Sequence, residues 1–210
     1  MNRNKLKLSL ILLMITVPIS LATLLYHFST GASGLGSTSR GKLIIPVIDV
    51  AELHLLDADN KPAYLSFEEL TANIKPEDYD PRPWQLLYLG DTTCDAACQE
   101  RLYFLRQVHV RLSGEAIRVQ RAYVVSDDVT VDAATKQFLD GEEMRILHVD
   151  KATLAAALQR SVDAGVDPIA GHYIYVMDPI GNIMLYFTPE NDAEAILKDV
   201  DKLLDQSSLG

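Results

Sequence analysis

An α/β fold, a mixed β-sheet flanked by helices with a transmembrane helix ahead of it, is what this sequence predicts. Three observations lead there. Trp84 to Leu89 (WQLLYL) is a nearly continuous apolar run, the pattern of a strand buried on both faces. Downstream, apolar runs of strand length alternate with stretches of helical periodicity, then give way to two short runs around one turn and a last helix. Near the start, Leu8 to Phe28 carries no Asp, Glu, Lys or Arg over 21 residues.

As a helix that N-terminal stretch is about 31 Å long at about 1.5 Å per residue, the thickness of a bilayer core of about 30 Å. Pro18 lies inside it, a residue membrane helices tolerate. A signal-peptide core is shorter, at about 7–15 residues, so residues 1–28 read as an anchor. Cleavage after Ala32 (Thr30-Gly31-Ala32) is the alternative. Arg3, Lys5 and Lys7 precede the span, whereas Arg40 and Lys42 follow it. The positive-inside rule then places the N-terminus in the cytoplasm and the domain outside, in a bacterium the periplasm. Residues 29–40 form a Gly/Ser/Thr-rich linker, and residues 41–210 the folded domain.

Leu53 to Leu56 and Ala63 to Leu65 flank a polar turn and predict a hairpin. Ser66 and Glu69 have the spacing of a capping box for a short helix, and Pro76, Pro81 and Pro83 break up the stretch between that helix and Trp84. After the Trp84–Leu89 strand, Gly90 and Asp91 turn the chain into Thr92-Thr93-Cys94-Asp95-Ala96-Ala97-Cys98. Cys98, Leu102, Leu105, His109 and Leu112 come next at helical spacing. Ala122 to Val125 predicts a second buried strand, Val131 to Leu139 a helix, and Ile146 to Val149 a strand. Lys151 to Ala164 predicts a helix stopped by Gly165. Tyr173 to Met177, the turn Asp178-Pro179-Ile180-Gly181 and Asn182 to Phe187 make a strand pair. Ile196, Leu197, Val200, Leu203 and Leu204 then share one face of a last helix. With the cysteines placed after the first central strand, this order is a thioredoxin-like layout.

Cys94 and Cys98 are the only cysteines. At i and i+4 of a helix they share a face, where two soft sulfurs can hold a soft metal such as Cu(I) or close into a disulfide. A helix start lowers thiol pKa. A cross-link closing so short a loop adds little stability, so a merely structural staple explains the pair poorly. Cys94, nearer the helix start, reads as the attacking thiol and Cys98 as its resolving partner or second ligand. The formal net charge is −10, and the chain beyond residue 30 carries 16 basic against 29 acidic side chains, or −13. That balance argues against nucleic-acid binding.

The anchor, the Leu53-x-Leu55-x-Asp57 entry, Thr93-Cys94-x-x-x-Cys98, Val124-Val125-Ser126-Asp127 and Tyr175-Val176-Met177-Asp178-Pro179-x-Gly181 occur in the order of one known family. From about Leu53 to Leu204 the chain resembles the Sco (SenC-type) family of membrane-anchored, thioredoxin-like copper chaperones. The resemblance implies copper, as Cu(I) or Cu(II), on Cys94, Cys98 and a later histidine, here His172. It implies work on the copper centre of cytochrome c oxidase subunit II, or on another periplasmic thiol or copper protein. That work is either copper delivery or reduction of the partner's cysteines. A third alternative is a non-catalytic assembly or docking module. This sequence departs from the family at Asp95 and Gln99, where the family has Pro. His172 also stands six residues before Asp178 rather than eight. A shift of two keeps strand parity but displaces the residue by about 6–7 Å.

The remaining candidates have plainer readings. Asp167-Pro168 would supply the cis-proline that thioredoxin folds place beside the cysteines. His109 lies about 16 Å along the helix from Cys98 and reads as structural, as do His54 and His148. His27 ends the membrane span. Asp127 and Asp128 read as loop caps, with a site near the metal as the alternative. Asp91 has a position from which to tune the thiols, and Tyr88 and Trp84 read as core.

Overall fold

Six apolar stretches pair into one sheet. The structure, a computed structural model, describes residues 7, 12–21, 23–24, 39–72, 82–159 and 171–207. The strands are β1 (Lys42–Asp49), β2 (Trp84–Leu89), β3 (Val119–Ser126), β4 (Arg145–Val149), β5 (Ile174–Met177) and β6 (Asn182–Phe187). The helices are α1 (Val50–Leu53), α2 (Phe67–Thr71), α3 (Ala96–Arg111), α4 (Ala133–Gly141), α5 (Lys151–Gln159) and α6 (Ala193–Gln206), with a 3-10 turn at Ser113–Arg118. The sheet order is β1-β6-β5-β2-β3-β4. β2 runs parallel to β3 and β3 to β4, while β2–β5, β5–β6 and β6–β1 are antiparallel. The mixed sheet flanked by helices is therefore as the periodicity predicts.

β2 lies in the middle, and all six of its residues are buried. Its side chains alternate between two cores, as the period of a strand requires. Trp84, Leu86 and Tyr88 meet Leu102, Leu105 and Val108 of α3 and Ile196, Val200 and Leu204 of α6. Leu87 and Leu89 meet Leu53 of α1 and Leu154, Ala157 and Leu158 of α5 on the other face. Both cysteines belong to the first core, so Tyr88, by parity, points to their side of the sheet.

Local chemistry sets the element ends. Asp95, Asp132 and Asp192 cap α3, α4 and α6, each accepting a backbone N–H from three residues on. The expected capping box at Ser66 and Glu69 is present in full. Asp178 closes the β5–β6 turn by accepting the N–H groups of Ile180, Gly181 and Asn182. Gly181 has φ +104° there, a conformation that favours glycine.

Two elements differ from expectation. The hairpin over Leu53–Leu65 shrinks to one bridge, Leu56 with Pro62, and Leu56 also bridges His148 next to it in β4. The reason is Asp49, which accepts the Ala51 N–H and winds Val50–Leu53 into a helical turn with Val50 and Leu53 buried. β1 has no counterpart in the sequence reading. Only Ile44 and Ile48 point inward, because the register against β6 shifts between Leu43 and Ile48. As an edge strand it tolerates Pro46, which has no N–H to donate. It is tied down by Asp199 of α6, whose buried carboxylate accepts the N–H groups of Arg40 and Gly41 at 2.6 and 2.8 Å.

The chain divides into two compact units, Met1–Ser39 and Arg40–Gly210. In the first, residues 12–21 and 23–24 are helical, with exposed side chains. Among the described residues no helix is long and apolar enough to cross a membrane. The other positions of the Leu8–Phe28 span, with His27, lie outside the described residues. So do residues 160–170, which hold Gly165 and the end expected for α5.

Candidate functional site

β2 delivers the chain to the site, and the Gly90–Asp91 turn is pinned from below. Gly90 donates to Val124 O. Tyr123 Oη accepts the Asp91 N–H at 3.1 Å and donates to Asp91 O at 3.0 Å. The Tyr123 ring lies so close that a Cβ on Gly90 would fall 1.9 Å from its Cζ, so glycine is required here.

The cysteine loop is then clasped to the start of α4. Asp132 donates its N–H to Thr92 O, and its Oδ2 accepts the Thr93 hydroxyl at 3.0 Å. Its Oδ1 accepts the Thr135 N–H, so one carboxylate caps α4 and holds the loop together. The backbone N–H of Thr135, then the Thr93 hydroxyl, keep the Asp132 carboxyl below its ordinary value. Cys94 donates its N–H to Thr135 Oγ1 at 2.9 Å. Asp95 Oδ1 accepts the Cys98 N–H, and Gln99 Nε2 donates to Cys94 O at 3.1 Å. The two residues standing where the resembling family has proline thus cap the helix and brace the cysteine backbone.

Cys94 and Cys98 are joined as a disulfide with a Cα–Cα distance of 5.2 Å, and both are buried. Cys98 lines a cavity of about 410 Å³ together with Tyr88, Gly90, Asp91, Asp95, Lys151 and His172. His172 does come to the cysteines' cavity. It precedes β5 rather than lying in it and has φ 52°, so strand parity does not govern its direction. Its Nδ1 is 2.7 Å from Tyr88 Oη, and the two rings stack at 6.4 Å and 24°. Tyr88 in turn stacks on Tyr123 at 5.7 Å. Burial pushes the Tyr88 phenol well up, with the Tyr123 and Asp95 charges adding and Arg101 opposing. Burial likewise pushes Tyr123 up to about 12.

Two soft sulfurs and an imidazole suit copper chemically. Among the described residues no three His, Cys, Asp or Glu side chains form a closed metal-binding group. In this oxidised form the sulfurs bond to each other, so only the reduced pair has thiolates to offer a metal.

The other candidates fall away from the cavity or keep plain roles. His109 Nε2 lies 3.1 Å from both Ala116 O and Val119 O, fixing the end of α3 to the 3-10 turn and β3. His54 ends α1 in the left-handed region, and His148 lies in β4 beside Leu56. Asp128 accepts the Ser126 hydroxyl and pairs with Lys151, which itself reaches the cavity. Asp127 lines a separate cavity with His148 and Lys136. Pro168 lies outside the described residues; the cis peptide bond among them is Ile45–Pro46. The sequence reading missed Tyr88, Tyr123, Asp132 and Thr135. Tyr88 has a usable signal, its parity and its place as the last residue of β2 on the face that α3, α6 and the cysteines share. Asp132 and Thr135 lie about 40 residues from the loop they hold, and no local spacing marks them.

The sequence matches no curated protein. Among solved structures it is similar to the apo Sco1 protein from Thermus thermophilus, at 16% identity. That match covers 81% of this chain and 99% of that one, with a TM-score of 0.52. Yeast Sco1 with copper bound matches at 17% identity over 80% of this chain and 90% of that one, TM-score 0.50. BsSco matches at 16% identity over 77% and 96%, also with TM-score 0.50. It is a member of the Sco family of cytochrome c oxidase assembly proteins in which a disulfide switch was identified. These likenesses establish a thioredoxin-like fold similar to that of Sco proteins. Residues 84–207, from the first residue of β2 through α6, match a family in their own right, and the chain belongs to it: the transmembrane-like, thioredoxin-like, C-terminal domain family.

Proposed function

We propose that this chain is an extracytoplasmic, Sco-like assembly factor for the copper centre of cytochrome c oxidase. Residues 8–28 would hold it in the bacterial inner membrane with its domain in the periplasm. It would take copper as cargo on reduced Cys94 and Cys98, with His172 as third ligand, and pass it to oxidase subunit II or another periplasmic copper protein. The observation that carries this reading is the meeting of Cys98 and His172 in one cavity. Cys94 is joined to Cys98 one helical turn away. The copper-bound and oxidase-assembly relatives of similar fold support it.

A second reading is favoured by the disulfide itself. The reduced pair would attack a partner disulfide, pass through a mixed disulfide, and end as the Cys94–Cys98 disulfide with the partner as dithiol. Two electrons and two protons from a donor dithiol would restore it.

Anaerobic copper titration of the reduced full-length chain separates the two. Tight 1:1 binding that fails in Cys94→Ser and weakens in His172→Ala supports the chaperone. No binding by the wild type, with a measurable Cys94–Cys98 reduction potential, leaves the thiol reductase. Normal oxidase copper content in cells carrying Cys94→Ser sinks both.

A further inference from the structure

Tyr88 fills its place in the core with its ring, which a phenylalanine would do equally well. Its hydroxyl is what reaches the site. The ring is 1% exposed, lies in the central strand and stacks on Tyr123, so the oxygen is held firmly. His172 has no such support from its own backbone. It sits at φ 52°, a conformation few non-glycine residues adopt, two residues before its strand begins.

We propose that Tyr88 is the positioning residue of His172, its hydroxyl holding the imidazole by Nδ1 so that Nε2 is the nitrogen left to face a ligand in the cysteine cavity. The bookkeeping of protons gives the contact its sense. A phenol has one proton to donate and lone pairs to accept with. Among the described residues, the hydrogen bond made by the Tyr88 hydroxyl is to His172 Nδ1. The contact works in either direction: the hydroxyl donates to Nδ1 when that nitrogen is bare and accepts from it when it carries the ring proton. A ligand taken at Nε2 needs the ring proton on Nδ1, and the Tyr88 oxygen then accepts it. One hydroxyl serves both tautomers without moving the ring, whereas phenylalanine serves neither. Histidine ligands generally have their second nitrogen tied in this way, and losing the tie lowers metal affinity by about 10–100-fold. The part of this inference that concerns copper rests on the function proposed above; the part that concerns the ring does not.

The test is made on the full-length chain with nitrogen-15 histidine. The wild type should show a protected proton in the contact between Tyr88 Oη and His172 Nδ1. In Tyr88→Phe the His172 nitrogens should move towards the values of free histidine. Copper titration of the reduced chain should find Tyr88→Phe about tenfold weaker than wild type. The double variant with His172→Ala should be no weaker than His172→Ala alone, a non-additivity that mere loss of packing would not produce. Identical His172 signals in wild type and Tyr88→Phe would overturn the proposal. Equal copper affinity of those two, with His172→Ala weakened, would overturn it as well. If no form binds copper, the chaperone reading falls, and the protected Tyr88–His172 proton, present or absent, decides the positioning by itself.

Discussion

Thr135 is an unremarkable threonine in the sequence and the acceptor for a cysteine N–H in the fold. It is 4% exposed, so its removal leaves the Cys94 amide without a partner in a place water does not reach. Thr135→Val keeps the shape and deletes the acceptor, and should cost about 1–3 kcal/mol, read as a lower midpoint in urea. Gly90 acts by having no side chain. Gly90→Ala drives a methyl into the Tyr123 ring, a rigid neighbour, and should cost about 1–3 kcal/mol. Its signature is a loosened turn, seen as faster amide exchange at Asp91, whose N–H is held by that same tyrosine. Gly90 is visible in the sequence as a turn residue; the reason it has to be glycine is not, because Tyr123 arrives from another strand.

At the scale of elements, α3 was the most legible part of the chain. Cys98, Leu102, Leu105, His109 and Leu112 predict its buried face; all but His109, which is half-buried, are buried, and the structure adds Arg101 and Val108. Asp95 is a good N-cap residue in any sequence, and it replaces the proline of the resembling family without weakening the helix start. Asp95→Ala should cost about 1 kcal/mol, measured by thermal unfolding, and should loosen the Cys98 amide first. The clasp between the cysteine loop and α4 depends on Asp132 being ionised. Its folded pKa is depressed, so its contribution is present above the unfolded value of about 3.9. It is lost only as pH falls through the lower folded value. The protection factor of the Thr135 amide, its exchange rate corrected for the intrinsic pH dependence, should therefore be constant from neutral pH down to about 4 and fall in stronger acid. Loss of protection that begins at neutral pH would show that another group holds the loop.

For the molecule as a whole, the tyrosines under the site make stability depend on alkali. Tyr123 is pushed up to about 12 by burial, and Tyr88 is shifted in the same direction. In the unfolded chain both ionise near 10. Their contribution is complete below about pH 10 and disappears as pH rises through the folded values. For Tyr123 it is on the order of 2 kcal/mol. Urea midpoints should fall between about pH 10 and 12, and Tyr123→Phe should flatten that fall while being less stable at neutral pH. An equally steep fall in the variant would place the titrating group elsewhere.

The primary structure is enough to predict the sheet's central strands, the long helices and the place of the cysteines at a helix start. Each of these is written in the period or spacing of neighbouring residues. His172 is singled out by the resemblance to the Sco family and by no local spacing. It takes the folded chain to bring Asp199 to the start of β1, Tyr88 to His172, and Asp132 and Thr135 to the cysteine loop. Those contacts join residues 158, 84, 39 and 41 positions apart. Local periodicity carries no record of such pairs; they exist because the strands lie side by side in one sheet and bring their ends to a common edge.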